Sequence, residues 1–326
     1  MVANTAPNYG RGEYELPSDT PDLEAYEQEL RVWFDGFLER PNLQLPRPPQ
    51  VALEVAELSR KPNARIEDIA KVLEREPLLA GRVLKLANSA LYGGSVACVT
   101  LKQALIRMGL SIVRDVVMEA AMSMMVIRTP GFDETLESIR RHSSAVAWIS
   151  RFVARNTAID AENAFLLGLL HDVGLSIGLV AAAEFKKAKK LPQRLDALTW
   201  LAAEASHERY SEAVLNNWGL PPTVTLVVGH HHSLMMGGYA HPQVAVMMVA
   251  EQIAQEAGWS VNPTVEQGPD QLALASAQES TPNRSNADEV DRALKALNLT
   301  RTHYQMVQAD TKRVLETLES QFKQRG

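Results

Sequence analysis

The chain has 326 residues, 46% of them hydrophobic and 22% charged, with a formal net charge of −6. That is enough apolar material for one large or two modest domains, and the acidic balance argues against a nucleic-acid binder, which needs a basic surface. The single cysteine, Cys98, excludes an internal disulfide and a Cys-rich zinc site.

Residues 1–21 are rich in Pro, Gly, Asn and Asp and read as a disordered lead, without the apolar centre of a secretion signal. A first helix is predicted within 22–41, where Leu23, Tyr26, Leu30, Trp33, Phe34 and Phe37 recur at helical spacing. Pro41 ends it, and Leu45-Pro46-Arg47-Pro48-Pro49 forms an extended connector. Helices follow over 51–58, 66–73 and 78–91, the last closed by Gly93-Gly94. Thr100 and Gln103 fit a capping box that starts another helix. The stretch 110–127 carries an apolar stripe, with Met122, Met124 and Met125 as adaptable core filler.

After the Pro130-Gly131 turn a long helix over 133–156 carries His142 and Trp148. A break near Asp160 leads into the helix that delivers His171-Asp172. Helices over 195–218, with Glu204 and His207, and 222–232, ending in a run of histidines, come next. A helix over 244–256 has Glu251 at its middle. Residues 259–286 read as a linker, followed by C-terminal helices within 287–326. In the last of these, Tyr304, Val307, Val314, Leu315 and Leu318 form a stripe suited to docking on the body, or on a second copy to give a homodimer. No strand-like alternation of useful length occurs, so the expectation is all-α. The basic run Lys186-Lys187-Ala188-Lys189-Lys190 reads as a solvated helix end rather than a face for nucleic acid. Apolar stretches are broken by charge or glycine short of membrane-spanning length, so a cytoplasmic protein is expected. No phosphate-cradling glycine loop or nucleophile elbow is present.

The chemistry concentrates at one place. Seven apolar or glycine residues, 164–170, run directly into His171-Asp172. Burying a carboxylate there is costly unless it is paired or binds a metal. A bland alternative has Asp172 simply capping a helix through backbone N–H groups. His142, His207, His231, His232 and Glu251 are the residues placed to close around the pair.

In order and spacing, these fragments resemble the HDOD domains, a divergent branch of the HD phosphohydrolase superfamily. The resemblance spans 42–258. Its first half rests on Leu45-Pro46-Arg47, on Ile69-Ala70 through Glu76-Pro77-Leu78, on the stretch from Val83 to Gly93, and on Ala104 through Gly109. Its second half rests on Arg141-His142-Ser143, on Gly168 through Gly174, on Trp218-Gly219-Leu220-Pro221, and on His231-His232. It implies an all-helical HDOD fold, with an N-terminal lobe (42–128) packed on an HD-like lobe (129–258). It also implies a regulatory role in a bacterium, as an output module that binds a signalling protein partner or a small nucleotide. The alternative is a metal-dependent phosphohydrolase acting on a nucleotide or cyclic dinucleotide. By the same resemblance His142, His171, Asp172, His207, His231, His232 and Glu251 would ligate one or two ions of Fe, Mn or Zn. Asp172 would be the catalytic carboxylate, bridging metals or positioning water. Three positions depart from catalytic relatives. Leu175 stands where lysine often occurs, and Glu251 stands where aspartate is expected. Gly238-Tyr239-Ala240, with Ser233 before it, only partly matches the motif of the cyclic-dinucleotide branch.

Overall fold

The structure, a computed structural model, describes residues 23–125, 127, 129–263 and 287–323. The expected lead over 1–21 and residues 264–286 of the linker expected over 259–286 lie outside the described residues, while Trp259 at the start of that linker is buried. The described residues are mainly helical: α1 (Leu23–Asp35) with a 3-10 turn behind it (Phe37–Glu39), α2 (Gln50–Leu58), α3 (Ile66–Leu73), α4 (Pro77–Ala87), α5 (Leu101–Met108) and α6 (Leu110–Met124). A second group follows: α7 (Asp133–Ala154), α8 (Ala161–Leu170), α9 (Val173–Ala188), α10 (Ala197–Asn217), α11 (Pro222–Val228) and α12 (Pro242–Glu256). The chain closes with α13 (Ala287–Ala296) and α14 (Arg301–Lys323). Extended structure among the described residues is one hairpin, β1 (Met235–Met236) and β2 (Tyr239–Ala240), antiparallel with Met235 opposite Ala240. Its loop residues Gly237 and Gly238 both have positive φ, as the tight primed turns of two-residue hairpins demand.

The first group packs around α6, whose Val113, Val116, Val117 and Ala121 are buried against α2 and α4. The second is built on α7–α8 and α9–α10 pairs, with α12 laid across α7 and α8. A buried ion cluster ties the two groups together. Arg114 donates to Asp115 at 2.9 Å and also pairs with Glu162 of α8. Arg151 of α7 reaches the other Asp115 oxygen and donates to Ser111 Oγ at 2.8 Å. Burial pushes the Asp115 carboxyl up to about 6, even with Arg151 and Arg114 opposing it.

Three details differ from the sequence expectation, and a fourth, the seat of α1, lay outside it. The fourth helix stops at Ala87 instead of running to 91, because Asn88 turns its amide onto the Cys98 backbone. Asn88 accepts from Cys98 N at 2.7 Å and donates to Cys98 O at 2.9 Å. The basic run is not wholly solvated: Lys186 is buried and ion-paired with Asp196, whose other oxygen caps α10 by accepting from Thr199 N. The stretch Ala161–Ala188 does reach spanning length and apolarity, but 89% of its most apolar window is buried inside the protein. Finally, α1 docks on the second helical group. Trp33 Nε1 donates to Ala181 O at 2.9 Å, and Tyr210 donates to Phe34 O at 2.7 Å.

Of the C-terminal helices, α13 packs on α12 and α14 lies along α7. The Tyr304–Leu318 stripe is buried against this chain's own body. Met125 is buried, and Met122 and Met124 pack beside the core, which suits filler. Trp148 is a core residue, while Trp218 Nε1 fastens the connector by donating to Pro46 O at 2.7 Å.

Candidate metal centre

Three helices and two turns bring one functional side chain or pair each to a common point. His142 comes from the middle of α7, and His171 from the C-cap of α8. Asp172 occupies the N-cap position of α9, His207 sits on α10, and Glu251 on α12. His231 and His232 follow the C-cap of α11. Two glycines let the helices come this close. A Cβ on Gly168 would stand 2.9 Å from Val146 O of α7 and 2.7 Å from Ser150 Oγ. On Gly174 it would stand 2.0 Å from His207 O of α10. Ser211 then stitches the turn to α10: its hydroxyl donates to His171 O and accepts from Gly174 N, both at 2.8 Å.

The capping alternative for Asp172 does not hold, since its side chain caps no helix N–H. The carboxylate turns inward instead and presents one oxygen to each of two histidine pairs. Oδ2 lies 3.2 Å from His171 Nε2 and 3.6 Å from His142 Nε2. Oδ1 lies 3.5 Å from His231 Nε2 and 3.6 Å from His207 Nε2. Oδ1 is buried without a hydrogen-bond partner, and so is Glu251 Oε1. Glu251 reaches to 3.6 Å from His171 Nε2, so its extra methylene does not take it out of the cluster.

The imidazoles are oriented by main-chain carbonyls. Nδ1 of His142 donates to Trp259 O at 2.8 Å, that of His171 to Gly168 O at 2.9 Å, and that of His231 to Val228 O at 2.7 Å. His207 Nδ1 is likewise engaged by Glu204 O. A carbonyl only accepts, so each of these Nδ1 atoms carries a proton and each Nε2 is turned inward, with a lone pair wherever the ring is neutral. These inward Nε2 atoms lie close together: His142 and His171 Nε2 are 3.2 Å apart, His207 and His232 Nε2 3.1 Å, and His207 and His231 Nε2 3.3 Å. Each such contact needs a proton on one of the two nitrogens or a metal ion between them. Histidines fixed through the far nitrogen with Nε2 free are the arrangement metal ligands adopt.

Charge is organised around the carboxylate. Burial opposes a charge on His171, but Asp172 and Glu251 outweigh it and push the imidazole up to about 9. Burial, reinforced by the neighbouring His171, holds His142 down to about 4. Burial also keeps His207 low and His232 well below the ordinary imidazole range. Burial raises Glu251, whereas Asp172, although buried, is held well below the carboxylate range by His171 and the other imidazoles.

Three overlapping groups each place one ligand atom per residue within 4.8 Å of the others: His142, His171 and Asp172; His207, His231 and His232; and His171, His231 and Glu251. The cluster can therefore hold a metal, and every residue named as a ligand from the sequence lies in it. His230, left out on spacing, is exposed and bonds Leu226 O. Leu175 is a buried core residue. Tyr239 is 80% exposed on the hairpin and takes no part in the cluster. Sequence reasoning missed Glu208, which accepts from His232 N at 3.1 Å and lies 3.7 Å from His231 Nδ1. Its only signal was adjacency to His207. It also missed the Trp259 carbonyl and Ser211.

The family model of the HDOD domain matches residues 45–234. An uncharacterized protein of Treponema pallidum (strain Nichols) is 22% identical over 199 residues, 58% of this chain and 38% of the relative, so the chain spans well under half of that relative's length. Three solved structures share the fold. One, a provisionally named metal-dependent phosphohydrolase from Shewanella amazonensis SB2B, has a TM-score of 0.58 at 20% identity, covering 88% of this chain and 100% of that one. Another, an HDOD domain protein of unknown function from Geobacter sulfurreducens, gives 0.57 at 19% identity over 92% and 98%. The third, a provisionally named signal transduction protein from Marinobacter aquaeolei VT8, gives 0.59 at 19% identity over 91% and 66%.

Proposed function

The chain belongs to the HDOD domain family, and from that premise we propose that it is a bacterial signalling module built around a metal-loaded His/Asp centre, with a protein or a small nucleotide as its partner. The observation that carries this reading is the fixing of four imidazoles through Nδ1, which turns His171 and His142 Nε2 toward one oxygen of buried Asp172 and His231 and His207 Nε2 toward the other, unpartnered one. A purely structural polar cluster would use those nitrogens to satisfy one another; here they are left facing. His142, His171, His207, His231, His232, Asp172 and Glu251 would hold one or two divalent ions, with Fe, Mn and Zn all suited to imidazole and carboxylate donors. Elemental analysis of the purified protein tests it. At least one equivalent of transition metal is expected, falling below a tenth in His171→Ala. A folded wild-type protein that never takes up Mn, Fe or Zn would end the proposal.

A second reading, a phosphohydrolase acting on a nucleotide or cyclic dinucleotide, is favoured by the two-faced placement of Asp172 between its histidine pairs. A divalent ion bound there supplies Lewis acidity toward water and a phosphoryl oxygen. In this chain Asp172 would act as the catalytic carboxylate by accepting a proton from water. Glu251 and Glu208 would flank it, and the carbonyls of Trp259, Gly168 and Val228 would keep the imidazoles oriented. A phosphatase and phosphodiesterase substrate panel on Mn- or Fe-loaded protein decides this reading. Absence of turnover in loaded, folded protein leaves the module as a binder.

A further inference from the structure

A second site lies where the two helical groups and the C-terminal helix meet. A cavity of about 740 Å³ opens between α4, α6, α7 and α14. Five cationic side chains line it: Arg82 and Lys85 from α4, Arg140 and Arg141 from α7, and Lys323 from α14. Only two carboxylates, Glu137 and Glu319, face them. In a chain of net charge −6 this local excess of positive charge is the exception. The carboxylates are already engaged: Glu319 pairs with Arg141 at 2.7 Å and Lys323 at 3.3 Å, and Glu137 with Arg140 at 3.5 Å. Arg82 instead donates to the neutral amide of Gln321 at 3.1 Å, and although its charge acts on buried Glu119 it pairs with neither carboxylate of the cavity wall. The remaining wall is apolar. Met124 and Phe322 line it, and Leu78 stands 66% exposed at its edge. An isoleucine-sized hydrophobe held in water beside an arginine suits a ligand that is anionic at one end and flat or apolar at the other.

We propose that this cavity binds a nucleotide, its phosphate on the Arg82 and Arg140 side and its base against Leu78, Met124 and Phe322. The volume falls within the range of small-molecule sites, roughly 300–1,000 Å³. Guanidinium groups are the side chains best shaped for phosphate oxygens. None of the centre's proposed ligands lines the cavity, so the two sites are chemically separate. The inference rests on the signalling reading and gives the module an input: a diffusible anion would bridge α4 of the first group to α7 of the second, the helix that carries His142.

The test is calorimetric titration of the full chain with AMP, GMP and cyclic di-GMP, with adenosine and inorganic phosphate as the two halves of the probe. At least one nucleotide binds, and adenosine and phosphate each bind about tenfold or more weakly. Arg82→Gln weakens that nucleotide about tenfold and flattens its salt dependence, and Leu78→Ser weakens it severalfold. Leu78 is exposed and Arg82 half-buried with one hydrogen bond to Gln321, and both variants keep the wild-type fold and metal content. Failure of all three nucleotides to bind at about 1 mM, or equal binding by Arg82→Gln, overturns the site. Metal-free wild-type protein that still binds the nucleotide supports it even if the metal reading fails.

Discussion

Replacing Gly174 with alanine isolates the packing on which the centre depends. A Cβ there would meet His207 O at 2.0 Å, Ser211 N at 2.5 Å and Ser211 Oγ at 2.7 Å. Two of these atoms are main chain of α10, so no rotamer change relieves the clash. The α9–α10 separation must grow by about 1 Å or more to reach van der Waals contact. Overpacking of that kind costs about 1–3 kcal/mol. The same movement breaks both hydrogen bonds of the Ser211 hydroxyl, at about 1 kcal/mol each, for a total of roughly 3–5 kcal/mol. His207 travels with α10, and metal–ligand distances tolerate only about 0.2 Å, so metal affinity falls at least about tenfold. Urea denaturation of metal-free protein reads the first effect, and competition with a chromophoric chelator reads the second. Gly81→Ala is the control: its Cβ meets nothing within 4 Å on exposed α4, and it stabilises by about 0.4–1 kcal/mol. If Gly174→Ala unfolds within about 1 kcal/mol of wild type and keeps its metal, close approach of α9 and α10 does not set the geometry of the centre.

Three further outcomes follow from the same contacts. Chelation with EDTA lowers the melting temperature by several degrees, since a ligand at a hundred times its Kd contributes about 2.7 kcal/mol; Asp172→Ala shows no EDTA-dependent shift, and a shift that persists there would place the metal elsewhere. Asp115→Ala leaves Arg114 and Arg151 buried without their carboxylate and costs about 3–5 kcal/mol by denaturation; a loss under about 1 kcal/mol would mean water or Glu162 replaces it. Asp196→Asn keeps the N-cap acceptor for Thr199 but loses the charge opposite Lys186. Although burial opposes it, Lys186 holds the Asp196 carboxyl below its ordinary value of 3.8. A depressed folded pKa contributes stability above the unfolded value and loses it as pH falls through the folded one. The stability gap between wild type and Asp196→Asn is therefore full at neutral pH and closes as pH drops below about 4, and a gap constant from pH 7 to pH 3 would refute the pairing.

Local signals were the legible part of this chain. The capping box at Thr100 and Gln103 forms as read, with Gln103 N donating to Thr100 Oγ1 and Thr100 N donating to Gln103 Oε1. The helix over 66–73 has the bounds its apolar spacing gives. The seven candidate ligands came from the family resemblance in order and spacing, since His207 taken alone, beside Glu208 and Arg209, reads as a surface residue. What stayed hidden has its partner far along the chain. The end of α4 is set by Cys98, ten residues on; the burial of Lys186 by Asp196; the seat of α1 by Ala181 and Tyr210. Carbonyl groups left the least trace of all. Any residue has one, so nothing in the letters marks Gly168, Val228 or Trp259 as the groups that orient the histidines.

The Trp259 carbonyl has a consequence for how the molecule is made. It seats His142 across 117 residues of sequence, and Glu251 enters the cluster from α12, beyond the last residue of the family match at 234. A nascent chain emerging from the ribosome displays His142, the 171–172 turn and His207 well before either of these arrives. The full seven-residue cluster is complete only when synthesis has passed Trp259, so an ion held by all of it would enter after assembly rather than nucleate folding.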